Sequence, residues 1–90
     1  MMRAIITVIG KDAKGIIAGV SGYLADENIN ILDISQTIMQ EYFTMVMLVD
    51  LKDSKISFKV ITEQLEELSD KLSVNIRIQH EDIFNSMHRV

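Results

Sequence analysis

The sequence predicts an α+β sandwich, in which two helices cover one face of a four-stranded antiparallel sheet. Four short segments carry alternating or continuous apolar residues, as strands do, and two longer segments repeat apolar residues every three or four positions, as helices do. The predicted order is strand, helix, strand, strand, helix, strand. Ninety residues without a proline or a low-complexity linker fit a single domain, residues 1–90.

The first strand and the first helix are predicted at residues 2–9 and 15–27. Apolar residues occupy both parities of the strand, so both of its faces should be covered and the strand should be central in its sheet. In the helix, Ile17, Val20 and Leu24 fall at positions i, i+3 and i+7 and form one apolar stripe. Polar residues then end the helix.

The second and third strands are predicted at residues 30–40 and 42–51, close enough to form a hairpin. Polar residues interrupt the second strand, as in an edge strand with a bulge, whereas the third strand is apolar on both parities and should be central. Met45, Met47 and their neighbours should leave an edge or the second sheet face apolar, and we expect a second copy to cover it, giving a homodimer. The sheets could stack, or their edge strands could join.

The second helix follows Asp53 and Ser54, which can cap its first turn. Its apolar residues keep a 3-4-3-4 spacing over Phe58, Ile61, Leu65, Leu68 and Leu72. We expect Leu65 and Leu68 to be buried against the sheet, together with Val20 and Leu24.

The fourth strand is predicted at residues 73–80, where inward apolar and outward polar residues alternate as in an edge strand. In the tail, residues 81–90, one-turn spacing of Ile83, Phe84 and Met87 fits a short helix that packs on the domain or on a neighbour. The whole order matches the split β-α-β, ferredoxin-like arrangement, in which strands one and three are central and strands two and four are edges.

Composition excludes several classes of function. A net charge of -4 argues against nucleic acid or an anionic membrane as the main partner. The absence of cysteine excludes disulfides and thiolate metal sites. No apolar run approaches the roughly 20 residues that span a bilayer, and no signal-peptide pattern is present, so we expect a cytoplasmic protein.

Catalytic constellations are missing from the sequence, so we expect no enzyme activity and no cofactor. Neither the nucleotide-binding glycine motifs nor H-E-x-x-H occurs. His80, Glu81, Asp82 and His88 could form a metal site in the tail, but they are more simply surface residues, with Asp82 capping the tail helix.

The loop Gly10–Gly15 joins the first strand to the first helix. Gly10 can leave the strand with backbone angles closed to other residues, and Gly15 leaves room for backbone or a ligand to approach. The first helical turn presents unpaired N–H groups. Asp12 could either cap the helix or hold the ammonium group of a small molecule.

Two segments of the chain resemble an ACT domain. They are Val8–Ile17, with its G-x-D-x-x-G-[IV] loop, and Asn28–Ile34, which opens the second strand. The closest likeness is to small stand-alone ACT proteins related to the glycine-cleavage transcriptional repressor, and Ile78–Phe84 is similar to the tail of that group. Lys14 stands where many members have proline.

The resemblance implies regulation rather than catalysis. ACT domains pair into dimers and often bind amino acids near the interface, so the resemblance implies an amino-acid ligand and an unidentified protein partner. Carried over by position, it assigns ligand contacts to Gly10, Lys11, Asp12, Gly15, Ile16, Asn30 and Ile31. The alternative is a dimerisation module without ligand or activity, and a small enzyme is the third hypothesis.

Overall fold

A computed structural model describes residues 2–11 and 15–87 of the chain. Seven elements follow one another: β1 (Arg3–Gly10), α1 (Ile16–Asp26), β2 (Asn30–Met39), β3 (Tyr42–Asp50), α2 (Phe58–Leu72), β4 (Asn75–His80) and α3 (Glu81–Met87). The predicted fold class is confirmed, and the tail contains the short helix that its spacing suggested.

The four strands form one sheet in the order β2-β3-β1-β4. In this order β1 and β3 are central and β2 and β4 lie at the edges, as predicted. Every neighbouring pair of strands is antiparallel. The pairing of β2 with β3 is irregular between Ile31 and Asp33, which is the bulge expected from the broken polar pattern.

The hydrophobic core lies between the two long helices and one face of the sheet. Val20 and Leu24 of α1 are buried as predicted, but Ile16 is the buried residue of the first turn and Ile17 is only partly buried. From the sheet, the core receives Ala4, Ile6, Val8, Phe43, Met45, Met47, Val49 and Ile76.

Met45 and Met47 do not leave an apolar surface, which corrects the sequence-based expectation. Both are 0% exposed, because their parity in β3 turns them toward the helices. The other parity carries Val46 and Leu48, and their side chains are half-buried on the face of the sheet that no long helix covers. The most exposed apolar side chains lie instead on β2.

Ser57, and neither Asp53 nor Ser54, caps α2. Its hydroxyl accepts a hydrogen bond from the backbone N–H of Val60 at 3.2 Å. Leu65 is buried as predicted, but Leu68 is only half-buried. The helix has Ser73 as its C-cap, in a left-handed conformation with φ 57°, so β4 begins two residues later than predicted.

Side-chain contacts of Glu81 and His80 tie α3 and its junction with β4 to the domain. Arg3 forms an ion pair with Glu81, with 2.6 Å between Nη2 and Oε2. The ring of His80 stacks on that of Phe58, with 4.0 Å between centroids. No helix in the described part of the chain is long and apolar enough to cross a membrane.

Candidate functional site

The loop between β1 and α1 is described at its two ends, Gly10–Lys11 and Gly15–Ile16. Lys11 and Gly15 are exposed, and Ile16 is buried in the core. Asp12 and Lys14 lie outside the described residues. The loop therefore pairs an anchored helix start with an accessible backbone.

Gly10 and Gly15 have different physical reasons to be glycine, and these reasons are the reverse of those inferred from sequence. A Cβ added at Gly10 would lie 2.6 Å from Cγ1 of Val74, so Gly10 permits close packing. Gly15 has φ +79° with open space around it, so it permits a left-handed backbone. The left-handed turn aims the chain into α1.

Gly15 is the N-cap residue of α1 and has no side chain that could accept a hydrogen bond from the first turn. Its carbonyl accepts the first intrahelical bond, from the N–H of Gly19 at 2.9 Å. No acidic residue lies in the first turn. N–H groups at a helix start attract anions through their partial positive charge, so a carboxylate fits here.

Asn30 and Ile31 lie far from this loop within one chain. β1 and β2 both run antiparallel to β3, so they are parallel to each other; Gly10 pairs with Phe43, while Asn30 pairs with Asp50. Seven residue steps along β3 separate these pairs, or about 23 Å at roughly 3.3 Å per residue. The two halves of the predicted ligand site therefore do not meet within one copy.

Asn30 contributes instead to a cleft at the opposite end of the sheet. This cleft has a volume of about 320 Å³ and is lined by Ala25, Asn28, Ile29, Asn30 and Asp53. Asp53 was predicted from sequence to cap α2, and its role as a lining residue was missed. No local motif marks it, because its approach to Asn30 depends on how the chain returns after β3.

The edge strand β2 is exposed along its whole length. All ten of its residues are exposed, including Ile38 at 71% and Met39 at 68%. Ile31, Ile34 and Ile38 pair with buried residues of β3 and so lie on the face that the helices cover elsewhere. The helices stop short of β2, and an apolar strip is left on that side.

A second cleft, of about 350 Å³, lies between the two long helices. Tyr23 donates a hydrogen bond to Oε1 of Gln64 across it, at 2.7 Å. Burial, with a smaller contribution from the charge of Glu27, raises the pKa of Tyr23 to about 12. The tyrosine is thus a neutral hydrogen-bond donor that joins α1 to α2.

In the described part of the tail, up to residue 87, no metal site of the kind that was considered is formed. Among the residues that the structure describes, no group of three histidine, aspartate or glutamate side chains is arranged to bind an ion. His80 contacts an aromatic ring and Glu81 pairs with an arginine. His88 lies outside the described part.

The chain is a ferredoxin-like sandwich with an accessible helix start and an exposed apolar edge strand, the architecture of the ACT class of small domains. The sequence profile of the ACT domain matches residues 3–79, and the chain belongs to this family. ACT domains are small ligand-binding regulatory domains found in amino-acid-regulated proteins. The family match does not indicate a catalytic family.

Full-length relatives support the same assignment. A UPF0237 protein of Clostridium acetobutylicum is 66% identical over 99% of this chain and 100% of its own length. The structure of an ACT domain protein from Streptococcus pneumoniae is similar with a TM-score of 0.82 and 49% identity, covering 92% of this chain and 93% of that one. A structure assigned to a glycine cleavage system transcriptional repressor shares the fold, with a TM-score of 0.73, 22% identity and coverage of 88% and 45%.

Proposed function

We propose that this chain works in the cytoplasm as a dimeric regulatory module, which binds an amino acid or a related small molecule and controls a partner protein. One observation carries the proposal: the two halves of the predicted ligand site lie at opposite ends of an exposed, apolar edge strand. Antiparallel pairing of that strand with a second copy would bring the halves together.

The two edge strands of the sheet, β2 and β4, differ in length and in polarity. β4 has six residues, alternates polar side chains and carries Arg77, which are features that discourage pairing. β2 has ten residues, of which Asp33 is the one charged residue. A long, apolar, unpaired strand is a template for another strand, so β2 is the edge at which a second copy fits. Stacking of two sheets is the competing mode, because the face that no long helix covers also carries apolar residues, among them Ile9 at 46% exposure.

In an antiparallel β2–β2 pair, the start of one strand adjoins the end of the other. Asn30 and Ile31 of one copy would then lie beside Ile38 of the second copy. Ile38 pairs with Phe43, which pairs with Gly10, so this is the loop end of the second copy. The composite site would combine the cleft at Asn30 with the start of α1 from the other copy.

The chemistry of the two halves suits an amino acid. The N–H groups of the first turn of α1 suit its carboxylate, and Lys11 is exposed nearby. The ammonium group suits the carboxylate of Asp53, the amide oxygen of Asn30, or Asp12 of the loop. Gly10, Gly15 and Ile16 would shape the backbone around the ligand.

A thermal-shift screen against the amino acids, followed by calorimetric titration, tests the proposal. Because a dimer that unfolds into two separate chains has a Tm that depends on chain concentration, all samples share one chain concentration. We expect at least one amino acid to raise Tm. We expect Asp53→Asn and Asp12→Ala each to weaken its binding, by about 1.5–3 kcal/mol for a charge-assisted contact. Asp70→Asn, on the outer face of α2, is the matched control.

The composite nature of the site is tested by an edge variant. Ile38→Lys should yield folded monomers by sedimentation and should lose ligand binding. Ile83→Lys makes the same change at another exposed isoleucine, in α3, and should remain dimeric and bind. Unchanged binding by monomeric Ile38→Lys would contradict the composite site. If no amino acid binds the unmodified dimer, the chain is a dimerisation module.

A further inference from the structure

The outer side of the edge strand β4 faces a groove beside α2. The groove has a volume of about 270 Å³ and lies between Thr62, Leu65 and Glu66 of α2 and residues 76–79 of β4. A groove between a helix and an edge strand is a shape that can take an extended peptide by strand addition. These residues lie outside the ligand site of the proposed function, so the groove is a separate candidate.

The hydrogen bonds of Ser69 show which backbone groups of β4 point into this groove. The hydroxyl of Ser69 accepts a hydrogen bond from the N–H of Ile76 at 3.3 Å and donates one to the carbonyl of Val74. In an antiparallel strand, the N–H and carbonyl of one residue point to the same side, and this side alternates along the strand. Because the N–H of Ile76 points away from β1, both backbone groups of Ile78 point away from β1 as well.

An incoming strand can therefore pair with β4 from Ile76 onward. Ser69 already occupies the N–H of Ile76, which leaves the carbonyl of that residue and both backbone groups of Ile78. These groups are unpaired within the described sheet, because β4 is its edge. So few main-chain hydrogen bonds suit a short segment better than a whole strand of another copy.

The side chains of β4 determine which sequence fits the groove. Ile76 is buried and Ile78 is half-buried, and both lie on the helix side of the sheet. Arg77 has the opposite parity and is exposed. Residues directly opposite each other in an antiparallel pair have their side chains on the same face. The residue opposite Arg77 should thus be acidic, and its neighbours on the helix side should be apolar, since the exposed carboxylate of Glu66 repels an acidic residue there.

We propose that a partner protein docks in this groove through an extended segment that adds to β4 with the pattern apolar, acidic, apolar. The inference rests on the proposed function in one respect, because that function requires a partner protein. Arg77 opposes pairing with the β4 strand of another copy, and the same charge selects the acidic residue of the segment. In a dimer paired through β2, both β4 strands stay at the outer edges and are accessible to the partner.

The test uses two peptides with blocked ends, Thr-Val-Glu-Val-Thr and the same peptide with lysine in place of glutamate. Nitrogen–proton NMR correlation spectra of the unmodified chain follow each titration. We expect the glutamate peptide to bind about fivefold more tightly, which combines a favourable and an unfavourable cross-strand pair. The Ile78 amide should shift and exchange its proton more slowly, whereas the exchange of the Arg77 amide, which faces β1, should change less.

Charge reversal tests the role of Arg77. In Arg77→Glu the preference should invert, so that the lysine peptide binds more tightly. Lys55→Glu makes the same change of charge at an exposed residue of the loop before α2, outside the groove, and should keep the preference for the glutamate peptide. Equal binding of the two peptides, or an unchanged preference in Arg77→Glu, would overturn the inference.

Methylation of single peptide nitrogens tests the strand pairing. With the glutamate opposite Arg77, the first valine lies opposite Ile78 and its N–H faces β4, whereas the N–H of the glutamate faces away. N-methylation of that valine should abolish binding, and N-methylation of the glutamate should not. Equal effects of the two methyl groups, shifts confined to β2, or no binding of either peptide would each overturn the inference. The proposed function would stand or fall separately, by the thermal-shift screen with amino acids.

Discussion

Replacing Gly10 by alanine tests the close packing at the end of β1. The added Cβ would lie 2.6 Å from Cγ1 of Val74 and 3.3 Å from Cδ1 of Ile16. Carbon atoms prefer separations of about 3.5–4.0 Å, and Val74 is β-branched and has few alternative rotamers. We expect overpacking to lower the free energy of unfolding by about 1–3 kcal/mol.

A double-mutant cycle identifies the cause. Val74→Ala removes the clashing methyl group, so Gly10→Ala should cost much less in that background than alone. Urea unfolding followed by circular dichroism, at one chain concentration for all variants, gives the four free energies. A coupling of about 1 kcal/mol or more supports the contact. Additivity within about 0.5 kcal/mol, as expected for independent sites, would refute it.

Gly22→Ala is the matched control for that cycle. Gly22 lies within α1, and a Cβ there would meet no atom within 4 Å. Alanine should therefore stabilise the protein by about 0.5–1 kcal/mol, the usual difference from glycine inside a helix. A destabilising effect at this position would show that an added methyl group can lower stability without the close contact seen at Gly10, and would weaken the conclusion for Gly10.

Leu65→Ala should lower the free energy of unfolding by about 2–5 kcal/mol, since the side chain is 1% exposed. Leu68→Ala, at a half-buried position, should lower it by less. Equal losses for the two variants in urea unfolding would contradict the observed burial. Tyr23 has a pKa of about 12 in the folded chain against 10.0 for a free tyrosine. The folded state therefore binds more protons between these values, and stability should fall as pH rises from 10 through 12. Tyr23→Phe should flatten that decline, and an equally steep decline in the variant would argue against Tyr23 as its source.

The sequence was sufficient for the architecture because its apolar parities and its element order agree. Apolar residues on both parities marked β1 and β3 as central, and the mixed pattern of β2 marked an edge with a bulge. What parity alone could not fix was which side of β3 faces the helices. From the sequence, the pair Met45 and Met47 and the pair Val46 and Leu48 were equally good candidates for the core. Only the packing of the helices on the sheet shows that the methionines are the buried pair.

The candidate site was less accessible from sequence, for two physical reasons. Gly10 and Gly15 look alike in a motif, yet they are glycine for different reasons. Gly10 is required by the close contact with Val74, which lies far along the chain, and Gly15 by its own positive φ angle. The separation of Asn30 from the loop was already implicit in the element order, because strands joined by one helix crossover run parallel. A motif match does not show this separation, because it gives the residue types and not the end of the sheet at which each residue lies.

The inequality of the two sheet edges also limits how far assembly can proceed. If β2 pairs with β2 of another copy, both partners use the same surface and each molecule has one such surface to offer. Growth beyond two would require β4 to accept a strand as well, and its short length and Arg77 oppose this. If β2 is paired in this way, β4 is the edge of the described sheet that remains, so association should stop at the dimer instead of continuing into a fibre.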